Sequence, residues 1–329
     1  MDGNYLVTLS DGKNFEVFSG ETILEASLKN GIHTEYSCMD GRCGVCKTKL
    51  ISGETYEIRK SNLLSEEDKH ENKILTCCSG LKSDIRIDAE DLFYLSEIDT
   101  KVLPCKIDSI NRLSKDVISV VLRLPPGSNF NYLGGQYISL FGPLGERRSY
   151  SIASHNLKKK GKFELFIKLR KNGLFSEFFA NIAKVDDLMR FEGPLGTFII
   201  RDFSVDRLIF LATGTGIAPI KSILESIVEK NLTRKYKQIS VYYGAKYKED
   251  LFFDYRDFVP SEVEFKLILS RLGKKIKYVQ DAVLADFESL ENTCIYACGS
   301  NEMINSAYVK FLEHNLDPKL FFSDSFLKS

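Results

Sequence analysis

Three of the chain's eight cysteines fall within nine positions, as Cys38, Cys43 and Cys46 in SCMDGRCGVCK, and two more adjoin as Cys77 and Cys78 in ILTCCSG. The start, MDGNYLVTLSDGKNF, lacks the basic-then-apolar form of an export signal, so the expectation is a cytoplasmic chain. In that compartment thiols are reduced or bound to metal rather than paired as disulfides. The spacing C-x4-C-x2-C leaves a tetrathiolate site one ligand short. Cys77 or Cys78, about thirty residues on, supplies the fourth, and this is a ligand pattern of a [2Fe–2S] cluster. Soft sulfur donors suit iron–sulfur iron. Gly41 and Gly44 let the loop bend so that backbone N–H groups point at the sulfurs. A structural zinc site would instead group its cysteines in C-x2-C knuckles. The chain must therefore fold back between residues 38 and 78.

At 329 residues the chain is long enough for two or three domains. NYLVTLS and NFEVFSG alternate apolar and polar residues around Asp11-Gly12, a hairpin signal. ETILEASLKNGI comes next as a short amphipathic helix ending at Gly31, and CKTKLIS and SDIRIDA as further strands. This predicts a small α+β domain over residues 1–95. From VLPCKIDSI onward, short strands separated by LPPGSN, LGGQ and FGPLGE predict an antiparallel β-barrel or sandwich over 100–203. Beyond Arg207 the strands RLIFLAT, QISVYYG, VEFKLIL and TCIYACG read as buried and are spaced by helical stretches. That alternation predicts a parallel α/β sheet covered on both faces over 204–329.

Charge is distributed unevenly over these segments although the total is zero. Residues 1–95 hold 11 Lys and Arg against 17 Asp and Glu, and residues 100–203 hold 17 against 9. Such halves can attract each other or steer partners of opposite sign, and ordinary solvated surface accounts for them equally well. With no Trp and no basic stripe interleaved with aromatics, nucleic acid is not an expected partner. No apolar run approaches the ~20 residues of a membrane span, so no membrane partner is expected either.

Three further stretches carry cofactor chemistry. ERRSYSIAS holds Arg148, Tyr150 and Ser151 at a strand end. A guanidinium binds phosphate oxygens in a bidentate fork, and an aromatic face stacks on a flavin ring. In RKNGLFSEFFANI, Gly173 and Ser176 stand at a helix start, where N–H groups and the dipole favour phosphate, although a plain N-cap reads the same way. FLATGTGIAPIKSI places Thr213, Gly214, Thr215 and Gly216 between a strand and a helix, a close approach for a pyrophosphate. Pro219 stands where the dinucleotide fingerprint has its third glycine, and proline suits a first helical turn. Cys105 and Cys294 read as buried strand cysteines. His33, His70, His155 and His314 fall in no ligand pattern and are expected at the surface.

The cysteine loop with ILTCCSGLKSDIRI, then in order RSYS, GLFS, EGPLGTF, GTGIAP and YACGSNEM, resembles the ferredoxin-fused flavin reductases of the ferredoxin–NADP reductase superfamily. The likeness covers nearly the whole chain. It implies a β-grasp [2Fe–2S] ferredoxin domain, then an antiparallel β-barrel flavin domain, then a doubly wound nicotinamide domain. It also implies Cys77 as the fourth iron ligand, Ser151 against the flavin N5, and Cys298 with Gly299 beside the nicotinamide. In FFSDSFLKS it implies an acidic residue, Asp324, on the hydride path and a flavin-facing aromatic, Phe326.

The function implied by the resemblance is an electron chain from NADH, with NADPH as the alternative, through FAD to [2Fe–2S] and on to a partner enzyme. A nicotinamide delivers two electrons as hydride and a cluster accepts one at a time, so a flavin between them is chemically required. Lys246 and Lys248 in GAKYKEDLFF could meet a 2′-phosphate or simply be solvated. LPCKIDSI, GGQYISL and the terminal FFSDSF extend the resemblance to the branch serving the pyridoxamine-phosphate-dependent dehydratase of 3,6-dideoxyhexose synthesis. The reductase component of a ring-hydroxylating or multi-component oxygenase is the alternative. A redox sensor without turnover would not keep the three nucleotide motifs intact, and a bare flavin reductase would not need a cluster.

Overall fold

The computed structural model describes residues 4–142, 145–155, 161–201, 204–272 and 277–325. Contacts divide the chain into two compact units, Met1–Asp99 and Thr100–Ser329. In the first, β1 (Tyr5–Thr8) and β2 (Asn14–Val17) form the expected hairpin, with Gly12 at φ 86°. Helix α1 (Ile23–Lys29) opens with a reciprocal Thr22–Glu25 capping box and ends at Asn30, with Gly31 at φ 69° beyond it. Then come β3 (Lys47–Ser52), β4 (Thr55–Glu57), α2 (Glu66–His70), β5 (Lys73–Leu75), β6 (Ser79–Leu81) and β7 (Ile85–Ile87). The sheet runs β2-β1-β7-β3-β5 with β1 and β7 parallel, and β4 pairs with β6 separately. Ile23 and Ala26 of α1 pack on Val7, Phe15, Val17, Ile85 and Ile87 of this sheet. A mixed sheet holding one helix in its grasp is the β-grasp arrangement.

The second unit opens with β8 (Lys101–Arg112), β9 (Val117–Arg123), β10 (Tyr137–Phe141), β11 (Arg147–Ser151), β12 (Lys162–Lys168), α3 (Leu174–Glu177) and β13 (Leu188–Leu195). The strands form one antiparallel sheet in the order β11-β10-β13-β8-β9-β12. An Ile152–Leu165 bridge brings its two edges together, so the sheet closes into a barrel rather than a sandwich. The interior is filled by alternate residues such as Ile107, Val120, Leu122, Ile138, Leu140, Phe163, Leu165 and Phe191.

The unit continues with β14 (Arg207–Thr213), α4 (Ile217–Glu229), β15 (Gln238–Ala245), β16 (Val263–Leu269), α5 (Val279–Asp286), β17 (Thr293–Gly299), α6 (Asn301–Leu312) and β18 (Phe321–Ser325). All pairings are parallel, in the order β16-β15-β14-β17-β18. Alternation along β14 divides the core: Leu208 and Phe210 face Ile220, Ile223 and Leu224 of α4, while Ile209 and Leu211 face Val283 of α5 and Phe311 of α6. The sheet is thus covered on both faces.

Two expectations need correcting. VEFKLIL is not a buried strand: β16 is the sheet edge and is mostly half-buried, because its far side has no strand to cover it. Of the histidines only His70 is exposed. His33 and His155 are half-buried and neutral-favouring, since burial lowers both pKa values, and His155 Nε2 lies 3.2 Å from a Glu229 carboxylate oxygen. The glycines of LGGQ do more than turn the chain. A Cβ on Gly134 would sit 2.6 Å from the Ser222 carbonyl oxygen, so their bareness lets α4 pack on the barrel. Lys221 Nζ and Ser222 Oγ then bond the carbonyls of Ala153 and Ser154 at 2.6 and 2.9 Å. Among the described residues no helix is long and apolar enough to cross a membrane.

Candidate redox centre

The thiols meet in two pairs. Cys46 and Cys77 Sγ are 3.2 Å apart, and Cys38 N–H donates to Cys43 Sγ at 3.4 Å. Within each pair the side-chain hydrogen bond lowers the pKa of one thiol, Cys38 or Cys46, and raises that of its partner, Cys43 or Cys77, burial opposing the first of each pair and adding to the second. Among the described residues no three His, Cys, Asp or Glu side chains converge on a single ion. Two pairs rather than one tetrad fit two irons, each taking two thiolates, and do not fit mononuclear zinc. The Arg42 N–H donates to Cys38 Sγ at 3.3 Å, as an anionic centre requires. The Thr76 hydroxyl beside Cys77 is buried without a hydrogen-bond partner among the described residues. Cys46 and Cys77 are buried, while Cys38 and Cys43 are half-buried, so the Cys38–Cys43 pair is the outward one.

Cys78 is also at the centre. Its Sγ is 3.7 Å from Cys77 Sγ and would lie 2.5 Å from a Cβ on Gly41, which is why that position, at φ 78°, is glycine. A cavity of about 280 Å³ lined by Tyr5, Val17, Phe18, Tyr56 and Leu81 lies elsewhere in this unit and contains none of the cysteines.

In the second unit Arg148, Tyr150 and Ser151 lie along β11, with Arg148 exposed and Ser151 buried. The Tyr150 ring meets Phe175 of α3 at 6.0 Å, which brings the RSYS strand and the Gly173 helix start together. Burial raises the Tyr150 pKa, and Arg148 and Arg170 oppose it. Arg148 and Arg170 are the cations here that would neutralise the phosphates of a flavin. Gly173 is the N-cap of α3, and Ser176 Oγ accepts from Arg170 N–H at 2.8 Å, so this hydroxyl holds the loop. Arg170 was not found from the sequence, although a cation three residues before Gly173 was there to be read.

The strand order reverses once, between β14 and β17, and open parallel sheets bind ligands at the carboxyl ends of strands at such a switch point. Thr213, Gly214, Thr215 and Gly216 leave β14 there, and Cys298 and Gly299 end β17 beside them. A Cβ on Gly299 would sit 2.2 Å from Thr213 Oγ1, and one on Gly214 would meet nothing within 4 Å. Pro219 lies in the first turn of α4. Asp324 is paired with Cys298 across β17 and β18. Cys298 is fully buried, and burial, then Asp324, raises its pKa, so it is a neutral thiol rather than a nucleophile. Ser325 Oγ, next along β18, is buried without a partner among the described residues, a donor that a nicotinamide amide would satisfy. The Gly214–Gly216 turn packs on β12, the strand that closes the barrel. Phe326 lies outside the described residues.

Three family models match in the same order. They are a 2Fe-2S iron-sulfur cluster binding domain over residues 7–82, an oxidoreductase FAD-binding domain over 104–200 and an oxidoreductase NAD-binding domain over 210–308. The CDP-6-deoxy-L-threo-D-glycero-4-hexulose-3-dehydrase reductase of Yersinia pestis is 41% identical over 315 residues, 94% of each chain. The chain belongs to this family of ferredoxin-fused flavin reductases. It is an electron-transfer oxidoreductase whose cofactors are a [2Fe–2S] cluster, FAD and NAD. The reductase component of propane 2-monooxygenase from Mycolicibacterium smegmatis is 29% identical, covering 94% of this chain and 93% of its own. The crystal structure of an Amycolatopsis cytochrome P450 reductase shares the fold, with a TM-score of 0.76, 23% identity and 98% of each chain covered.

Proposed function

We propose that the chain is the reductase of CDP-3,6-dideoxyhexose synthesis, passing electrons from NADH to the pyridoxamine-phosphate-dependent dehydratase that removes the C-3 hydroxyl of CDP-4-keto-6-deoxyglucose. The observation that carries the reading is 41% identity along 94% of both chains to a reductase named for such a dehydrase. When bound, the flavin would supply the conversion of one hydride into two single electrons, and the cluster a carrier that takes them one at a time. This chain's own residues bind, orient and shield those groups.

In this reading Cys38 and Cys43 hold the outer iron, and Cys46 and Cys77 the inner one. Electrons leave on the side of the outer pair, whose residues are the more exposed. Arg148 and Arg170 neutralise the flavin phosphates with the N-terminus at Gly173 and Ser176, Tyr150 stacks on the ring, and Ser151 bonds N5. Phe326, outside the described residues, is the flavin-facing aromatic that the resemblance implies. Thr213 to Gly216 and Pro219 seat the dinucleotide, and Cys298, Gly299 and Asp324 line the hydride path. Cys298 fills that position as a protonated thiol, excluding water without offering a charge. We divide the chain into domains 1–95, 100–203 and 204–329 and place it in the cytoplasm.

An anaerobic coupled assay tests this. The protein is mixed with NADH, the dehydratase and its CDP-4-keto-6-deoxyhexose substrate. NADH consumption that requires both dehydratase and sugar is expected. Brisk dye reduction with no sugar-dependent turnover would overturn the assignment and favour an oxygenase component as partner, the role named for the Mycolicibacterium relative.

A further inference from the structure

We infer that Arg59 is a positioning residue of the iron–sulfur centre: it clamps the cysteine loop to the strand of the fourth ligand, and its charge sets the potential at which the cluster accepts an electron. This rests on the assignment of Cys38, Cys43, Cys46 and Cys77 as the iron ligands. Arg59 Nη1 donates to the Met39 carbonyl at 3.3 Å and to the Cys77 carbonyl at 2.8 Å. Met39 comes directly after Cys38 and has φ 61°, a left-handed conformation that a side-chain-bearing residue holds only when its surroundings fix it. Cys77 belongs to the other thiol pair. One guanidinium therefore joins the backbone beside the outer pair to the backbone of the inner pair.

The clamp is itself held. Arg59 Nη2 bonds a carboxylate oxygen of Glu25. The other oxygen of that carboxylate accepts from Thr22 N–H at 3.0 Å, closing the capping box of α1. Glu25 is thus fixed by the helix and in turn orients the arginine.

The redox consequence comes from charge balance. Four thiolates around an oxidised [2Fe–2S] core give a net dianion. The step adds one electron from the flavin, releases nothing, and leaves a trianion. A fixed cation beside the centre stabilises the reduced state more than the oxidised one and raises the potential. Glu25, at the outer end of the same fork, opposes it. Lysine supplies the charge but not the planar fork that bridges two carbonyls.

The test is an EPR-monitored redox titration of the full-length holoprotein, with iron, sulfide and flavin content measured alongside. Arg59→Met should lower the midpoint potential and Glu25→Gln should raise it. Arg59→Lys should return the potential toward the wild-type value while losing iron faster on standing. Unshifted potentials in clusters of full occupancy, or shifts of the same sign for Arg59→Met and Glu25→Gln, would overturn the inference. If Arg59→Met fails to hold iron, the sign for Glu25→Gln and the iron loss of Arg59→Lys still decide. Wild-type protein without a [2Fe–2S] spectrum would instead defeat the ligand assignment.

Discussion

Gly216 should be a sensitive small residue of the nicotinamide site. It caps α4 at φ −60°, where alanine is conformationally acceptable, so the whole effect of Gly216→Ala is steric. The added Cβ would lie 2.3 Å from the Cys298 carbonyl oxygen, 2.8 Å from its carbon and 3.1 Å from the Gly299 nitrogen, all backbone atoms that no rotamer change can move. The start of α4 and the end of β17 must separate by roughly 1 Å, and a misplacement of that size at a reacting centre costs about 10²-fold in rate. The same overpacking should cost about 1–3 kcal/mol of stability. Gly214→Ala is the control. Its Cβ meets nothing, but φ is 55°, so the loss is about 1 kcal/mol of backbone strain. That Cβ projects into the open space where the dinucleotide would lie, so KM for NADH should rise with kcat nearly unchanged. Steady-state NADH–ferricyanide reduction and thermal melting read both variants, with cluster absorbance as an internal standard. A Gly216→Ala protein with wild-type kcat and melting temperature would refute the steric argument.

Four further outcomes are expected. Cys77→Ala should lose iron and inorganic sulfide while Cys78→Ala retains both, and the reverse result would move the fourth ligand to Cys78. Cys43→Ser should keep NADH-dependent ferricyanide reduction, which draws on the flavin, while cytochrome c reduction through the cluster falls at least ~10-fold. Burial works against the Asp68 carboxylate, but Lys47, the Ser65 N–H and Lys73 hold it at about 2. Its contribution of about 1–2 kcal/mol is therefore full above the ordinary carboxylate pKa and lost as pH falls through 2. Asp68→Asn should lower the melting temperature of the cluster unit at pH 7, and the gap to wild type should narrow below pH 4. Cys298, fully buried and held protonated, should escape iodoacetamide at pH 8 in the native protein and react on unfolding.

Local geometry determined which parts of the fold could be read in the chain before folding. The hairpin at Asp11-Gly12, the capped helix α1 and the βα turn at Gly214–Gly216 each arise from backbone preferences within a few residues. The doubly wound cover was legible because β14 is apolar on both faces and the helices between strands are long. Strand alternation alone leaves barrel and sandwich open and only the family resemblance points to a barrel, since closure depends on one bridge, Ile152 to Leu165, whose two residues announce nothing beyond that alternation. The edge position of β16 was hidden for a similar reason: VEFKLIL has the composition of a central strand, and only the sheet order exposes it.

At the redox centre the division is sharper and has a chemical cause. Ligands to one cluster within a short loop must keep a fixed spacing, so Cys38, Cys43 and Cys46 stand out by position alone. Groups that hold the loop in place carry no such constraint. Arg59 reaches Met39 across 20 residues, Cys77 across 18 and Glu25 across 34. Any of those separations could change with a loop insertion and leave the clamp intact. The choice between Cys77 and Cys78 shows the same limit at its smallest scale. Adjacent residues share one spacing, and the distinction rests on side-chain direction: Cys77 Sγ turns to Cys46 at 3.2 Å, while Cys78 Sγ lies against the bare face of Gly41. A glycine in that loop therefore has two separable duties, a positive φ and room for a fifth sulfur. Gly41→Ala should disturb the centre more than Gly44→Ala, which shares the positive φ but would meet only a Leu63 methyl carbon at 3.9 Å. Equal iron retention in the two variants would mean that Cys78 is free to move aside.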